Sequence, residues 1–476
     1  MGKTAVFIGM MSIQKYIFAS NKLKENIGAS YIVKDIFKNL EEFAHSYIGG
    51  GNALIYFDSL EEAKDAMKDW SRTLLQSAPG IIPNITIDDT FDDNNYSESR
   101  TKLIRKAKMQ ENRTIPQTEL GSFGITTDCP RSGLSAEIWG YKLPKNEEGY
   151  ISSANYTKIS ASEKSNAELQ EEFGSVIGDF KFTDEMDKLG GSAGENNHIA
   201  IVHIDGNDLG KKFKEEANEE GVKAFSTKLE EAVENAFKQT LKELIKLKSE
   251  DKISFKENYL PVRPIVIGGD DITFVCDARV GMFLTVEFIK AFENQGICKE
   301  KSITACAGIS IVKTKYPFYR AYKMAEALCK NAKMVRKESR KEEGSSFIDF
   351  HISFGGLGGS LEEIRDANYK SADGQTLYMR PYSINNMQKL LGCLTEISEL
   401  PQSNIKKLRE ALYDGETATV EFIKELEYRY KKLPFFSHSD ESIKGFSNGK
   451  SPYIDMIELI DFYPKNTSKS KTGGDQ

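Results

Sequence analysis

Two unbroken apolar stretches, each ending in acidic turn residues, dominate the pattern of this chain. The first runs from His198 to Asp205 and opens into Gly206-Asn207-Asp208-Leu209-Gly210. The second runs Arg263-Pro-Ile-Val-Ile-Gly268-Gly269-Asp270-Asp271 and resumes as Ile-Thr-Phe-Val. Short apolar runs bounded by Gly and Asp predict buried strands, and the Gly-Gly-Asp-Asp turn predicts a hairpin between its flanks. A long helical stretch follows Gly210, a further strand covers Ile303 to Val312, and a helix then ends in Ala332-Lys333.

The first 130 residues predict the same order. They read as a strand over Thr4 to Gly9, a helix from Ile13 to about Leu40, and a hairpin around Gly49-Gly50-Gly51-Asn52. A helix over Leu60 to Ser77, a strand over Asn84 to Phe91 and a helix over Ser97 to Met109 follow. One half laid on the other places Gly50-Gly51-Asn52-Ala53 over Gly268-Gly269-Asp270-Asp271, and Ala107-Lys108 over Ala332-Lys333. The spacing between these landmarks nearly repeats, which reads as an internal duplication. In this alignment Asn52 and Ala53 replace the two aspartates, and the position of Asp205 falls near Met10. An amide, an alanine and a thioether do not hold dications, so the first copy is expected to be silent.

Residues 110 to 195 are polar with weak periodicity, and their charged helix Asn166 to Phe173 is expected to be a solvated connector. Cys129 stands alone there, and one thiol cannot make a tetrahedral zinc site. The glycines of Ser353 to Ser360 lack the Lys-Ser or Lys-Thr that a phosphate loop needs, so they are read as a joint. Beyond it, Met387, Leu390, Leu391 and Leu394, then Ile405, Leu408 and Leu412, recur at helical spacing. Helix is expected again over 420 to 462, and the polar tail should be disordered. The expected units are a degenerate first domain at 1–130, a linker at 131–195, a catalytic domain at 196–355, a helical domain at 356–464 and a tail at 465–476.

Composition narrows the classes. At 476 residues the chain exceeds one ordinary core, so about two to four domains are expected. A net charge of −7 argues against coating nucleic acid through global charge. The six cysteines lack CxxC spacing, which suits buried thiols in a reducing cytosol. The N-terminal run Thr4 to Met11 is too short to span a membrane, so a cytoplasmic protein without membrane association is expected.

The candidate chemistry lies where the apolar runs end. Asp205, Asp270 and Asp271 would bring carboxylates to one sheet edge, an arrangement that divalent cations stabilise. The loop Gly206 to Gly210 suits backbone N–H groups wrapped around a phosphate, and Lys333 could reach the same phosphate. This order of elements resembles the catalytic palm of GGDEF-type nucleotide cyclases. It resembles more closely the second palm of the large polymerase-cyclase subunit of type III CRISPR effector complexes. Gly268-Gly269-Asp270-Asp271, Asp205-Gly-Asn-Asp-Leu-Gly210 and Ala307-Gly308-Ile309 carry that likeness.

The resemblance implies an α+β fold of two ferredoxin-like palms from an internal duplication, plus a C-terminal helical domain. It implies that ATP is joined into cyclic or linear oligoadenylates, in anti-phage defence signalling, by attack of a 3′-hydroxyl on an α-phosphate. Two Mg²⁺ or Mn²⁺ ions would be held by Asp205, Asp270 and Asp271, with Ile204 in the same shell. Gly206, Asn207, Asp208, Leu209, Gly210, Gly268, Gly269 and Lys333 would hold the donor nucleotide. The first palm would supply the acceptor pocket, with Gln14 and Ser30 as candidates, although both residues and Gly28 also suit simple helix packing. Nucleoside triphosphates, RNA and other CRISPR-type subunits are the implied partners, and a homodimer stays open. The family's subunit commonly begins with an HD nuclease domain. Here the five histidines scatter with no adjacent His-Asp pair, so a stand-alone relative without DNA cleavage is expected. Two rivals remain: a non-catalytic nucleotide- or RNA-binding scaffold, and a cyclase of guanine nucleotides.

Overall fold

A computed structural model describes residues 3–113, 127–140, 143, 148–189, 197–216, 218–269, 271–297, 303–339, 345–353, 359–430 and 432–464. Asp270, the centre of the expected joint and the expected disordered tail lie outside the described residues.

The first sheet contains β1 (Lys3–Met11), β2 (His45–Gly49), β3 (Asn52–Phe57) and β4 (Ile82–Phe91), in the order β2-β3-β1-β4. Every neighbouring pair is antiparallel. Helices α1 (Ile13–Phe18) and α2 (Leu23–Asp35) link β1 to β2, and α3 (Leu60–Ser77) links β3 to β4. The helix expected from Ile13 to Leu40 is thus broken after Phe18, and α4 (Tyr96–Glu111) follows the sheet. The ribbon β5 (Ile138–Trp139) and β6 (Tyr150–Ile151) then leads into α5 (Ser153–Ile177).

The second sheet repeats the plan. Strand β7 (His198–Gly206) is followed by α6 (Leu209–Glu215) and α7 (Glu219–Ser249), then by the hairpin β8 (Val262–Gly268) and β9 (Asp271–Asp277). Helix α8 (Ala278–Glu293), strand β10 (Ala305–Lys313) and helix α9 (Phe318–Glu338) complete the unit. Within the six-stranded order β12-β11-β10-β7-β9-β8, the last four strands reproduce β4-β1-β3-β2. This is the ferredoxin-like plan in both halves, as the duplication requires. Only the second sheet is extended, by β11 (Phe347–Ile352) parallel to β10 and by the short β12 (Tyr382–Ser383). The helical remainder comprises α10 (Leu361–Asn368), α11 (Ile384–Ser398), α12 (Gln402–Asp414), α13 (Glu416–Arg429), α14 (Ser439–Lys444) and α15 (Tyr453–Leu459).

The continuous apolar run of β7 is explained by burial on both faces. Ala200, Val202 and Ile204 pack with α7 and α8, whereas Ile199 and Ile201 pack with Ile17, Phe18 and Ile27 of the first palm. The reverse contact also exists: Val222 of α7 joins Ala5, Leu54 and Tyr56 on the outer face of the first sheet, and Phe213 of α6 packs against them. Each palm therefore covers the open sheet face of the other with the helices that follow its own first strand. Two sheets that would each expose an apolar face are buried by this exchange.

Helix α5 is longer than the expected charged helix Asn166 to Phe173: residues 166–172 are half-buried or exposed, whereas the part before them is packed into the fold. It lies against α2 so closely that a Cβ on Gly28 would stand 1.7 Å from the Lys158 carbonyl oxygen. Gly28 thus serves helix packing, against α5 rather than against its own sheet. Glu25 is fully buried in this seam, where it pairs with Arg131 and accepts from Asn155 Nδ2 at 2.7 Å. A buried carboxylate needs such partners to stay charged.

The C-terminal helices are bolted to β11 and β12 by buried ions. Arg380 is wholly buried between Asp455 at 3.3 Å and Glu458 at 3.0 Å, and Asp349 of β11 meets Arg365 at 2.6 Å.

Candidate functional site

Strand pairing sets the site. Asp205, near the end of β7, stands opposite Asp271, the first residue of β9, and Asp271 pairs across the hairpin with Gly268. Gly269, next to the paired Gly268, has a φ of +61°, where glycine is favoured. Side chains alternate along a strand, so His203 and Asp205 share one face of β7, as Asp271 and Thr273 share one face of β9. The metal-binding atoms of His203, Asp205 and Asp271 all lie within 4.8 Å of one another. That donor set, two carboxylates and an imidazole, fits a divalent cation. Among the described residues it is the one such group with three members.

Lys333 of α9 reaches into the cluster, its Nζ 2.5 Å from Asp205 Oδ2 and 3.2 Å from the Gly206 carbonyl. Burial pulls the lysine pKa down, but the Asp205 charge and hydrogen bond outweigh it and the net shift is upward. The helix is held this close by Gly308 of β10, where a Cβ would stand 2.0 Å from the Ala325 carbonyl oxygen. The Ala307-Gly308-Ile309 segment thus has a packing role that positions Lys333.

The loop after Asp205 divides its residues. Asn207 is buried, donating from Nδ2 to Thr304 Oγ1 at 3.0 Å, and Leu209 is packed into the core. These two anchor the loop. Asp208 caps α6 in the left-handed region at φ +57°, and its carboxylate meets Lys211 and Arg336, each at 3.0 Å. The Lys211 hydrogen bond, and then Arg336, hold Asp208 below the usual carboxylate range. Gly210 and Gly268 have open space where a side chain would be. Ile204 turns its side chain into the core on the opposite face, so only its backbone could join a metal shell. Gln14 and Ser30 are half-buried on α1 and α2.

His203 is the site residue that sequence reasoning passed over. It is 5% exposed, its Nδ1 lies 3.1 Å from Thr273 Oγ1, and its ring meets Tyr322 edge-on with centroids 5.7 Å apart. Burial lowers its pKa against the opposing pull of Asp205. Tyr322 in turn stacks on Phe18 of the first palm at 3.8 Å between centroids. The two-residue spacing to Asp205 was the available signal.

The same ladder in the first palm corrects the alignment of the halves by one residue. Gly49 pairs with Asn52 and Asn52 with Gly9, just as Gly268 pairs with Asp271 and Asp271 with Asp205. Gly49-Gly50-Gly51-Asn52 therefore overlies Gly268-Gly269-Asp270-Asp271, and Gly9 rather than Met10 overlies Asp205. Ser12 confirms the register: like Asp208 it lies three residues on, caps the next helix and is left-handed, at φ +52°. Gln14 then takes the place of Gly210. A cavity of about 140 Å³ lined by Gly9, Asn52, Asn84, Ala107 and Lys108 occupies the site in this half. Carboxylates are absent from the three ladder positions Gly9, Asn52 and Asn84.

Residues 198–341 match the family model of the second palm domain of Cas10/Cmr2. The chain carries a Cas10/Cmr2 second palm. The expected kinship with the large subunit of type III CRISPR complexes therefore holds. A Csm1-Csm4 cassette solved in complex with cA4 shares the fold at a TM-score of 0.58 and 14% identity, over 97% of this chain and 70% of that one. The apo Csm1-Csm4 cassette gives 0.57 over 97% and 69%. The cassette with AMPPNP gives 0.55 at 14% identity, over 97% and 68%. No curated protein matches the sequence. Among the described residues, no helix is long and apolar enough to cross a membrane.

Proposed function

We propose that this protein joins nucleoside triphosphates, with ATP as the principal substrate, into cyclic or linear oligonucleotides at the Cas10/Cmr2 palm. The observation that carries this reading is the opposed pair Asp205 and Asp271, with Lys333 beside it and the Gly206–Gly210 loop next to it. Csm1-Csm4 cassettes that share the fold were solved in complex with cA4 and with AMPPNP, which supports the choice of an adenine nucleotide.

Asp205 and Asp271, with Asp270 from the turn, would hold Mg²⁺ or Mn²⁺. Such ions, when bound, lower the pKa of an attacking hydroxyl and neutralise a leaving pyrophosphate. The protein's own groups do the rest. Lys333, which pairs with Asp205, lies where its ammonium would hold the triphosphate once that carboxylate is engaged by a cation. Arg336 and Lys211 fix the Asp208 carboxylate beside the loop. Asn207 and Leu209 keep that loop from relaxing. The second nucleotide binds at the first palm, where no carboxylate occupies the ladder positions to repel it. The 3′-hydroxyl attacks the donor's α-phosphate and pyrophosphate leaves.

The Asp205–Lys333 pair also favours a second reading. It compensates one carboxylate without any cation, so an intact acidic set is compatible with a scaffold that binds nucleotide without turnover. Incubation with each of the four triphosphates and Mg²⁺ or Mn²⁺, followed by mass spectrometry of the products, separates the two. Oligonucleotide from ATP supports the transferase. Unchanged triphosphate, with ATP bound, supports the scaffold.

A further inference from the structure

His203 stands within reach of the two carboxylates, and nothing in the reaction described above uses it. Its neighbours prepare it as a ligand. Thr273 Oγ1 can accept from Nδ1–H at 3.1 Å, which would leave the Nε2 lone pair free. The hydrogen bond seen at this ring is the one at Nδ1. Metal-bound histidines are oriented in this way, by a hydrogen bond from the ring nitrogen that does not bind. Tyr322, itself clamped by Phe18, blocks rotation of the ring from the other side. The ring is therefore buried, orientated and adjacent to Asp205 and Asp271 before any ion arrives.

We propose that His203 is a nitrogen ligand of the ion held by Asp205 and Asp271, and that it makes this palm selective for Mn²⁺ and similar transition metals over Mg²⁺. The proposal rests on the metal-dependent reading of the palm. Metal–donor distances of about 2.0–2.2 Å place two ligands of one ion at most about 4.4 Å apart. Donor atoms within 4.8 Å of one another converge on one ion with side-chain shifts on the order of an ångström. An imidazole suits Mn²⁺ and later transition metals, whereas Mg²⁺ is held by oxygen and keeps much of its water. A buried imidazole in place of one water therefore favours the first class.

Mn²⁺ titrated into the full chain without nucleotide, read by pulsed EPR, tests this directly. The expected result is nuclear modulation from an imidazole ¹⁴N in the native protein, lost in His203→Gln. By calorimetry, His203→Gln should weaken Mn²⁺ by about tenfold or more and Mg²⁺ by less than about threefold. Thr273→Val, which removes the orienting bond, should weaken Mn²⁺ by a smaller factor and retain the modulation. Mn²⁺ bound with no ¹⁴N modulation in the native protein overturns the proposal and leaves the carboxylate site standing. So does an equal loss of both metals in a folded His203→Gln. Failure of the native protein to bind either ion overturns the metal reading itself, and this inference with it.

Discussion

The two palms share a strand order, a hairpin register and a left-handed residue three places after the ladder position, yet only one has an acidic site. At the matched positions Asp205 becomes Gly9, Asp271 becomes Asn52 and Asp208 becomes Ser12. The backbone is the same in both, so these carboxylates are not needed to build it. Asp208 shows the point most clearly: Ser12 adopts the same left-handed turn without the Arg336 and Lys211 pairs. The fold is carried by the reciprocal burial of two sheet faces, and the chemistry by a few side chains at one strand end.

The largest effect should come from removing the difference. Asp205→Asn with Asp271→Asn should lower product formation by about a thousandfold or more while leaving thermal unfolding close to native. The opposite change, Gly9→Asp with Asn52→Asp, should leave activity level or lower. Gly9 has Asn52 Oδ1 only 3.3 Å from a new Cβ, and added carboxylates there would repel triphosphate. A gain in turnover would break the account of a silent first palm.

Lys333→Ala should weaken ATP binding by about tenfold and adenosine binding hardly at all, because an ammonium acts on phosphate as a point charge. Lys108→Ala, at the corresponding place in the first palm, should change ATP binding by less than about threefold. Equal effects of the two substitutions in a calorimetric titration would erase the distinction between donor and acceptor sides.

Packing distinguishes the palms next. Gly28→Ala drives a methyl group into the backbone of α5 and should cost about 1–3 kcal/mol in chemical denaturation. Gly210→Ala, which meets open space in the second palm, should leave stability close to native.

A further effect concerns β11, which with β12 extends the second sheet alone. Burial, and then Arg380 and Arg365, push the His351 imidazole down to about 3. The unfolded chain takes up this proton near the ordinary value of about 6.5, so the contribution is full above that pH. It is lost as pH falls from about 6.5 towards 3, by on the order of 1 kcal/mol per unit. His351→Leu should flatten this part of the stability profile. An unchanged slope would remove His351 from it.

Much of this was legible in the chain. The strands β7, β8 and β9 follow from apolar runs punctuated by Gly and Asp, and the duplication from their recurrence. The register between the halves was missed by one residue, because Gly49-Gly50-Gly51 offers more than one way to match a glycine pair and only strand pairing decides between them. The extent and burial of α5 were hidden because Asn155, Lys158 and Ser162 are polar or charged, and their burial depends on partners far away in sequence. His203 was hidden for a related reason: alternation puts it beside Asp205, but the fold alone shows that this face meets α9 rather than solvent.

The central claim is that one palm holds the metal and the other does not. Crystals soaked with ATP and Mn²⁺, measured at an energy where manganese scatters anomalously, test it most directly. The account predicts anomalous density between Asp205 and Asp271 beside a triphosphate, with none between Gly9 and Asn52. Manganese at Asn52, or ATP bound to the second palm with no manganese beside Asp205, would contradict it.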